Sequence, residues 1–304
     1  MFVSLLAAVS LFLSHPDVPS SDTTLLMFWN VENFFSWKAE AMKGKYWTRK
    51  RFLRECQAIS KAVLWMSDER GAPPDLIGLA EVENRKVLEL LLKETPLRRL
   101  GYGIVHYESP DPRGIDVALL FRKERLKLLY SKPLRIEGVV TRDILLAGFE
   151  RAGGDSLAVL VNHHPSKYGE NSAWRREAAM ARLGEATDSL LATGQGNIVA
   201  MGDFNDTPES TAGYSGKMRN LAASPARKGL GTIKYEGKWE MIDMFFISPA
   251  LARRNPDAEM RIERIPFLMV KDGPRFGEKP LRTYSGPRYI GGVSDHCPIT
   301  LVIR

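Results

Sequence analysis

The stretch NIVAMGDFND at residues 197–206 joins an apolar run to a cluster of polar side chains. The run at 197–201 has the length and β-branched content of a strand that is buried on both faces. Asp203 and Asn205 follow at its end, where a rigid strand would hold functional groups in place. The same pattern recurs along the chain and indicates a strand-rich core with polar groups gathered at the strand ends.

Apolar runs typical of strands outnumber the helices that could connect them. Three helices are predicted, at 49–66 after a Thr48 N-cap, at 87–92 and at 173–192. Because a doubly wound parallel sheet needs many crossover helices, this pattern favours an α/β protein with two packed, mostly antiparallel sheets and helices outside them. Besides 197–201, the predicted strands are 25–31, 76–79, 116–121, 144–149, 157–162, 241–247 and 299–303.

The composition is that of a globular protein. Of the 304 residues, 44% are hydrophobic and 26% are charged, which excludes disordered, collagen-like and coiled-coil chains. The length alone permits two domains. Since no internal repeat or low-complexity linker divides the sequence, we expect one domain over residues 21–304.

The charge and the cysteine content narrow the choice of partner and of metal. The 43 Lys and Arg against 36 Asp and Glu give a net charge of +7. This excess suits an anionic partner such as a phosphodiester backbone, but it does not distinguish nucleic acid from anionic lipid. The two cysteines, Cys56 and Cys297, support neither a disulfide framework nor a cysteine-based zinc site.

An apolar run, FVSLLAAVSLFL at residues 2–13, opens the chain. Its 12 residues are too few to cross a bilayer core of about 30 Å as a helix, so no stable membrane span is expected. The run is typical of the apolar part of a signal peptide, although a basic segment before it is missing. We therefore predict a signal peptide at 1–20 and export to the periplasm or the extracellular space. The alternative is a buried or frayed N-terminal segment.

Polar residues at four strand ends have the chemistry of a hard-metal site. Asn30, Glu81, the pair Asp203 and Asn205, and Asp295 offer the oxygen ligands that Mg²⁺ or Mn²⁺ prefers. Taken singly, most of them have a structural alternative as turn or strand-end residues. Glu81 is harder to explain structurally, because a carboxylate directly after a buried strand needs a cation or a donor.

In chain order, the motifs resemble those of the endonuclease/exonuclease/phosphatase superfamily, which includes deoxyribonuclease I, apurinic endonucleases, bacterial sphingomyelinases and inositol polyphosphate 5-phosphatases. The resemblance covers about residues 25–304 and implies a four-layer αββα sandwich that hydrolyses a phosphate ester with a metal. It is carried by WNVEN at 29–33, GLAEVEN at 78–84, RGIDVAL at 113–119, NHHPS at 162–166, GDFND at 202–206, Trp239 with Asp243, and SDHCP at 294–298.

The resemblance also implies roles for individual residues. Asp203 would orient or deprotonate the attacking water, supported by Asn205. His296 would contact the scissile phosphate, held in its tautomer by Asp295, and His163 would stabilise charge on the phosphate or the leaving oxygen. The remaining implied catalytic residue is Asp243, which would support the pocket.

The implied cofactor is Mg²⁺, with Mn²⁺ or Ca²⁺ as alternatives. Glu81 would be the main metal ligand, and the other candidate ligands are Asn30, Asp203, Asn205 and Asp295. Arg113 could clamp a phosphate oxygen bidentately, or it could be a loop arginine without a partner. Asn162 and Ser166, from the NHHPS motif, complete the predicted substrate-binding residues.

Two departures from the family pattern narrow the activity. In apurinic endonucleases the segment at the supporting aspartate usually reads like WRIDY, with an aromatic residue after the aspartate. Here Met244 follows Asp243, so the aromatic residue is absent. Apurinic endonucleases also typically carry Tyr where His163 stands. Both departures disfavour repair of abasic sites.

Two basic segments indicate the substrate. Residues 43–54 contain six basic and no acidic residues, with Tyr46 and Trp47 between them, and could follow a polynucleotide backbone. A second basic, turn-rich segment at 271–288 could form a wall of the pocket. We therefore predict an exported, monomeric phosphodiesterase, with a nuclease as the leading activity. The alternatives are a phospholipid or inositol-phosphate hydrolase and a catalytically silent binding module.

Overall fold

The computed structural model describes residues 23–44, 46–167, 172–215 and 217–304. The predicted signal peptide at 1–20 lies outside these residues. In chain order, the strands are β1 (Thr24–Phe34), β2 (Leu76–Val82), β3 (Tyr102–His106), β4 (Asp116–Arg122), β5 (Leu126–Leu134), β6 (Ile144–Arg151), β7 (Ser156–His163), β8 (Ile198–Asp203), β9 (Arg219–Asn220), β10 (Ile233–Tyr235), β11 (Lys238–Glu240), β12 (Asp243–Ile247), β13 (Arg261–Ile262), β14 (Met269–Lys271), β15 (Glu278–Pro280), β16 (Tyr284–Ser285), β17 (Arg288–Tyr289) and β18 (Ile299–Ile303).

Helices and short 3₁₀ turns connect the strands. The α-helices are α1 (Arg49–Arg70), α2 (Arg85–Glu94), α3 (Ser172–Ala192), α4 (Ala212–Ser215), α5 (Ala223–Arg227) and α6 (Pro249–Arg254), and the 3₁₀ helices are Glu40–Met42, Pro96–Arg99 and Pro266–Leu268.

Two six-stranded sheets form the centre of the fold. The first has the order β13-β18-β1-β2-β4-β3, and the second has the order β5-β6-β7-β8-β12-β9. Each contains a single parallel pair, β1 with β2 and β7 with β8, and its other pairs are antiparallel. With helices on the outer faces, this arrangement confirms the predicted αββα sandwich with mostly antiparallel sheets.

The central strands are apolar on both faces because each sheet lies between two layers. In β1, Leu26 and Phe28 belong to the core between the sheets, whereas Met27 and Trp29 belong to the core on the outer face. This alternation is the two-residue period of a strand, with both faces covered. The continuous apolar run at 25–31 is the sequence signal of that double burial.

The helix α1 covers the outer face of the first sheet. Thr48 caps it, because its hydroxyl accepts the backbone N–H of Arg51 at 3.3 Å, as the sequence predicted. Phe52, Cys56 and Ile59 are fully or almost fully buried against the sheet. Cys56 is therefore a core residue.

Some elements have no clear sequence signal. The strands β3 and β5 were not predicted, and β5 alternates only weakly because it is an edge strand with exposed residues. The turn-rich segment at 271–288 contains β15 and β16.

Within the described ranges, no helix is long and apolar enough to cross a membrane.

Candidate active site

Two β-bulges aim acidic side chains at one edge of the first sheet. The β1–β2 register shifts between Asn30 and Phe34, and the β2–β4 register shifts between Ala80 and Val82. At these bulges Glu32 and Glu81 have positive φ angles of 43° and 63°. Such a backbone costs about 1–3 kcal/mol for a residue with a side chain and often marks a functional site. The bulges therefore hold both carboxylates in a strained, fixed position.

Glu81 lies between a backbone amide and an arginine. Its Oε2 accepts the N–H of Asn33 at 2.9 Å and an Nη2 hydrogen of Arg113 at 3.0 Å. Arg113 also donates to Asn33 Oδ1 at 3.0 Å, and about half of its side chain is exposed. The predicted phosphate clamp thus has a partner in this structure, which is the carboxylate of Glu81. The guanidinium of Arg113 is thus the positive charge that meets that carboxylate.

Glu32 and Asp295 share a second arginine that the sequence did not single out. Arg282 Nε donates to Glu32 Oε1 at 2.9 Å, and Arg282 Nη2 lies 3.5 Å from Asp295 Oδ2. Burial and the nearby Asp295 charge raise the pKa of Glu32 to about 7, although Arg282 opposes the shift. Glu32, Glu81, Asp295, Arg113 and Arg282 together are called the carboxylate end of the site.

Close packing of β7 on β8 positions the second part of the site. A Cβ on Gly202 would lie 2.3 Å from the backbone oxygen of Asn162, so no side chain fits there. The close approach continues one residue further, where His163 pairs with Asp203 in register. His163 Nε2 consequently lies 3.7 Å from Asp203 Oδ2.

Asp203 is buried among donors and imidazoles. Its Oδ2 accepts the side-chain amide of Asn30 at 3.0 Å, and its Oδ1 accepts the backbone N–H of Asn205 at 2.9 Å. His296 Nε2 lies 3.8 Å from the same Oδ2. Burial raises the pKa of Asp203 to about 7; the charge of His296 opposes the rise and that of Asp243 adds to it.

His296 is oriented by Asp243, which corrects the predicted role of Asp295. His296 Nδ1 and Asp243 Oδ2 are 2.8 Å apart, whereas Asp295 Oδ1 is 3.9 Å from the other ring nitrogen. Adjacent residues direct their side chains apart, and Asp295 turns toward Arg282 instead. Burial by itself lowers the pKa of His296, but the charge and hydrogen bond of Asp243, with Asp203 and Asp295, raise it well above the ordinary value.

The turn at 294–297 connects His296 to the first sheet. Ser294 Oγ donates to the backbone oxygen of Asn30 at 2.6 Å and accepts the N–H of His296 at 2.9 Å. Trp29 Nε1 donates to the backbone oxygen of His296 at 2.9 Å. The SDH motif is therefore a capped turn and also part of the site. His163, Asp203, Asp243 and His296 are called the imidazole end.

His163 lies beside Asp203 as a neutral group. Burial lowers the pKa of His163 well below its ordinary value, and the charges of Arg142 and Arg113 add to the effect. Its Nδ1 is buried and has no hydrogen-bond partner among the residues that the structure describes. His163 can therefore donate a hydrogen bond to a phosphate oxygen, whereas His296 brings a positive charge.

Three of the predicted site residues make contacts that differ from their predicted roles. Asn162 is fully buried and its amide donates to the backbone oxygens of Leu160 and Met201, so its predicted contact with substrate is wrong. The side chain of Asn205 donates to the backbone oxygen of His164 rather than supporting Asp203, which it contacts through its backbone. Ser166 is half-buried, and its backbone oxygen accepts a hydrogen bond from Arg176.

The sequence also missed a link between the two sheets. Arg142 donates to Asp111 Oδ2 at 2.8 Å and to the backbone oxygen of His164 at 2.6 Å. Asp111 in turn accepts the backbone N–H of Arg113. This buried arginine thereby ties the Arg113 loop to the end of β7, and the TRD sequence at 141–143 carries no motif that indicates it.

The carboxylate end offers oxygen donors of the kind that a hard divalent cation prefers. Glu32 Oε2 is buried and lacks a hydrogen-bond partner within the described part of the chain, which leaves a carboxylate oxygen unpaired. Glu81 and Asp295 offer further oxygens. The Asn30 amide oxygen already accepts the N–H of Glu32 at 3.0 Å, so its predicted role as a ligand is weakened.

A second group of candidate ligands is part of the imidazole end. Ligand atoms of Asp203, Asp243 and His296 lie within 4.8 Å of one another. A histidine must be neutral to bind a metal, and the raised pKa of His296 opposes that form. The carboxylate end offers oxygen donors alone, which hard divalent cations prefer, so it is the candidate cation site, and the imidazole end has the groups for proton transfer.

The sequence model of the Endonuclease/Exonuclease/phosphatase family matches residues 26–304. D. rerio TDP2 complexed with single strand DNA product is 15% identical and has a TM-score of 0.60, with 93% of this chain and 99% of that chain covered. Truncated Caenorhabditis elegans TDP2 is 17% identical with a TM-score of 0.62, covering 94% and 99%. The human Nocturnin catalytic domain with bound sulfate is 17% identical with a TM-score of 0.60, covering 93% and 94%. No curated protein matches in sequence.

Proposed function

Since the chain belongs to the Endonuclease/Exonuclease/phosphatase family, we propose that it is a divalent-metal-dependent phosphodiesterase that cleaves nucleic acid. The observation that carries this proposal is the setting of Asp203. Its Oδ2 lies 3.7 Å from His163 Nε2, 3.8 Å from His296 Nε2 and 3.0 Å from the amide of Asn30. A carboxylate surrounded by three such groups can exchange a proton with water while its neighbours bind an anion.

Each residue of the imidazole end then has a task. Asp203 orients the attacking water and accepts its proton, because its carboxylate is the buried base of the group. His296 binds the scissile phosphate through Nε2, while Asp243 holds its Nδ1 hydrogen and stabilises the positive charge. His163 donates one further hydrogen bond from a neutral ring. Together these groups offset the negative charge that grows on the phosphate oxygens.

The carboxylate end would hold the divalent cation. Glu81, Glu32 and Asp295 would hold it, and Mg²⁺ fits their oxygen donors, with Mn²⁺ and Ca²⁺ as alternatives. A bound divalent cation neutralises phosphate charge and lowers the pKa of a nearby water. Arg113 can exchange Glu81 for a phosphate oxygen, because its side chain is half-exposed.

Nucleic acid is the substrate that the charge distribution favours. The net charge of +7 and the basic segment at 43–54 suit a polyanion. A relative of the same fold, D. rerio TDP2, has been seen with a single strand DNA product, which supports the proposal. Export, which rests on the apolar run at 2–13, would place this activity outside the cytoplasm.

A phospholipid substrate has one observation in its favour. Phe276, between β14 and β15, is fully exposed, as an aromatic residue that enters a lipid surface would be. One exposed ring is less than the apolar surface that stable membrane binding needs, so this activity is the second candidate.

The test compares substrates and metals on the purified protein. With Mg²⁺ we expect cleavage of single-stranded DNA or RNA, loss of cleavage in EDTA, and little release of headgroups from sphingomyelin. Asp203→Asn should abolish cleavage, and Asp257→Asn, at an exposed aspartate, is the matched control. Full activity in EDTA, or hydrolysis of sphingomyelin alone, would overturn the proposal.

A further inference from the structure

The two basic segments at 43–54 and 271–288 meet on one surface. The ring of Trp47 lies 5.9 Å from that of Tyr284 and 6.3 Å from that of Tyr289, measured between centroids. The two tyrosine rings are 5.6 Å apart. The start of α1 and the β16–β17 hairpin therefore form a single aromatic cluster, although more than 200 residues separate them in sequence.

Arg51, Arg54 and Arg288 lie on the two elements that carry this cluster. The guanidinium of Arg51 lies 4.3 Å from the centre of the Tyr289 ring, and it donates to the backbone oxygen of Tyr46 at 2.8 Å. Burial raises the pKa of Tyr289, while the positive charges of Arg54 and Arg51 oppose the rise, so both charges act at this ring. Arg54 and Arg288 are exposed. Tyr284, Tyr289, Arg51, Arg54 and Arg288 are called the platform.

Buried contacts hold the platform in shape. Trp47 is almost fully buried and donates to the backbone oxygen of Phe35 at 2.9 Å, so its ring supports the tyrosines instead of meeting a ligand. The hydroxyl of Thr283 donates to Glu55 of α1 at 2.7 Å, which fastens the hairpin to the helix. A preformed surface of this kind loses little conformational entropy when it binds.

The platform adjoins the carboxylate end of the site. Arg282, one residue before Thr283, is paired with Glu32 and Asp295. The surface next to Arg113 is more acidic than the platform. A groove of about 640 Å³ there is lined by Glu40, Glu83 and Glu108 together with Asn33 and Arg113. A polyanion that reaches the site is repelled by this acidic groove and attracted by the platform.

We propose that the platform binds the single-stranded nucleic acid that leads into the active site. Arg54 and Arg288 would bind phosphates, and bases would stack on the parts of the Tyr284 and Tyr289 rings that remain accessible. This inference rests on the proposed function for its substrate class. A lipid surface fits less well, because the tyrosines are half-buried and their neighbours at the tip are charged or small.

Binding in EDTA tests the platform without cleavage. The probe is a fluorescein-labelled oligothymidylate of about 12 nucleotides, within the site size of such surfaces, and its anisotropy reports the Kd. Arg54→Ala with Arg288→Ala should raise the Kd about tenfold and reduce the salt slope of log K by about 0.7 for each phosphate that is no longer neutralised. The matched control, Arg99→Ala with Arg253→Ala, removes the same charge from exposed positions on other elements and should change both far less.

A second variant tests stacking. Tyr289→Leu should also raise the Kd about tenfold, with a salt slope like that of the unmodified protein, because it removes a ring and no charge. If this variant does not fold, the arginine pair decides the question alone. An arginine-pair variant that binds as the unmodified protein does, or that loses no more affinity than its control, would overturn the proposal.

Two further measurements distinguish this proposal from a lipid-binding site and from the proposed function. Vesicles that contain phosphatidylserine should not bind; if vesicles bind and the oligonucleotide does not, the platform is a lipid site and the proposal is wrong. A protein that binds the oligonucleotide through the platform, yet cleaves no nucleic acid with Mg²⁺, would contradict the proposed function and leave the platform standing.

Discussion

The two ends of the active site are built in opposite ways. In the imidazole end, His163, Asp203 and Asp243 stand on regular, in-register pairs of β7, β8 and β12, whereas His296 stands on the turn at 294–297. All four side chains are buried. The carboxylate end stands on bulges with positive φ angles, and its charges are countered by Arg113 and Arg282, which are about half-exposed. We infer that the imidazole end holds its proton-transfer groups rigidly. The carboxylate end, in contrast, exchanges its arginine partners when a cation or a phosphate binds.

Among the changes that compare the two ends, loss of His296 should have the largest effect. His296→Ala removes the charged donor to the phosphate and should lower kcat by about a thousandfold with Mg²⁺ saturating, measured on single-stranded DNA. Asp243→Asn should cost about a hundredfold, and the double variant should cost no more than His296→Ala, because the two residues act as one unit. Fully additive losses would contradict this coupling.

The aspartate that orients His296 can be identified without an activity measurement. In ¹⁵N spectra of the imidazole, Asp243→Asn should change the protonation and tautomer signals of His296, since it removes the 2.8 Å contact at Nδ1. Asp295→Asn serves as the control and should change them far less. The opposite ranking would restore the role that the sequence assigned to Asp295.

A side chain at Gly202 should disrupt the close contact of β7 and β8 that positions the imidazole end. Gly202→Ala places a Cβ 2.3 Å from the backbone oxygen of Asn162, so β7 must move away from β8. We expect a loss of about 3 kcal/mol in the free energy of unfolding, measured with urea. Gly213→Ala, where a Cβ meets nothing within 4 Å, is the control. Equal stability of the two variants would contradict the close packing.

A change at Glu81 should act through the metal. Glu81→Gln should raise the Mg²⁺ concentration for half-maximal activity at least tenfold, because one anionic ligand is removed. Isothermal titration with Mg²⁺ and activity at rising Mg²⁺ both measure this shift. Glu185→Gln, on the exposed part of α3, should leave both unchanged. An unchanged requirement for Mg²⁺ in Glu81→Gln would move the cation to the imidazole end.

The smallest effect is expected beneath the platform, at Glu55. Burial raises the pKa of Glu55 well above 4.5, so the folded state keeps a proton that the unfolded chain releases as the pH rises past 4.5. Stability therefore falls as the pH rises above that value. Glu55→Gln cannot ionise and should gain about 1 kcal/mol at about pH 7 and nothing below about pH 4. Thermal unfolding at both pH values measures the difference, and an equal gain at both would contradict a protonated Glu55.

The sequence predicted the layers well, and it singled out all four residues that the structure brings together at the imidazole end. Periodicity and β-branched runs are local signals, so the central strands and the Thr48 cap could be identified. Bulges are single-residue shifts that periodicity does not detect, so the strained positions of Glu32 and Glu81 were missed. The pairing of Glu32 with Arg282 spans 250 residues, and no local pattern carries it.

At two positions the structure differs from what the family resemblance implied. Asp295 precedes His296, but their side chains diverge and Asp243 of β12 takes the orienting role. Asn162 precedes His163, and alternation along β7 sends it into the core. In both cases the tertiary partner, and not the adjacent residue, decides what the side chain does.

The most direct test of the account is the single-turnover cleavage of single-stranded DNA with Mg²⁺ saturating, compared between the unmodified protein and Asp203→Asn. The amide keeps the shape of the side chain and cannot accept the proton of water, so the account predicts a loss of at least about a thousandfold with unchanged DNA binding. An Asp203→Asn variant that cleaves at the rate of the unmodified protein would contradict it.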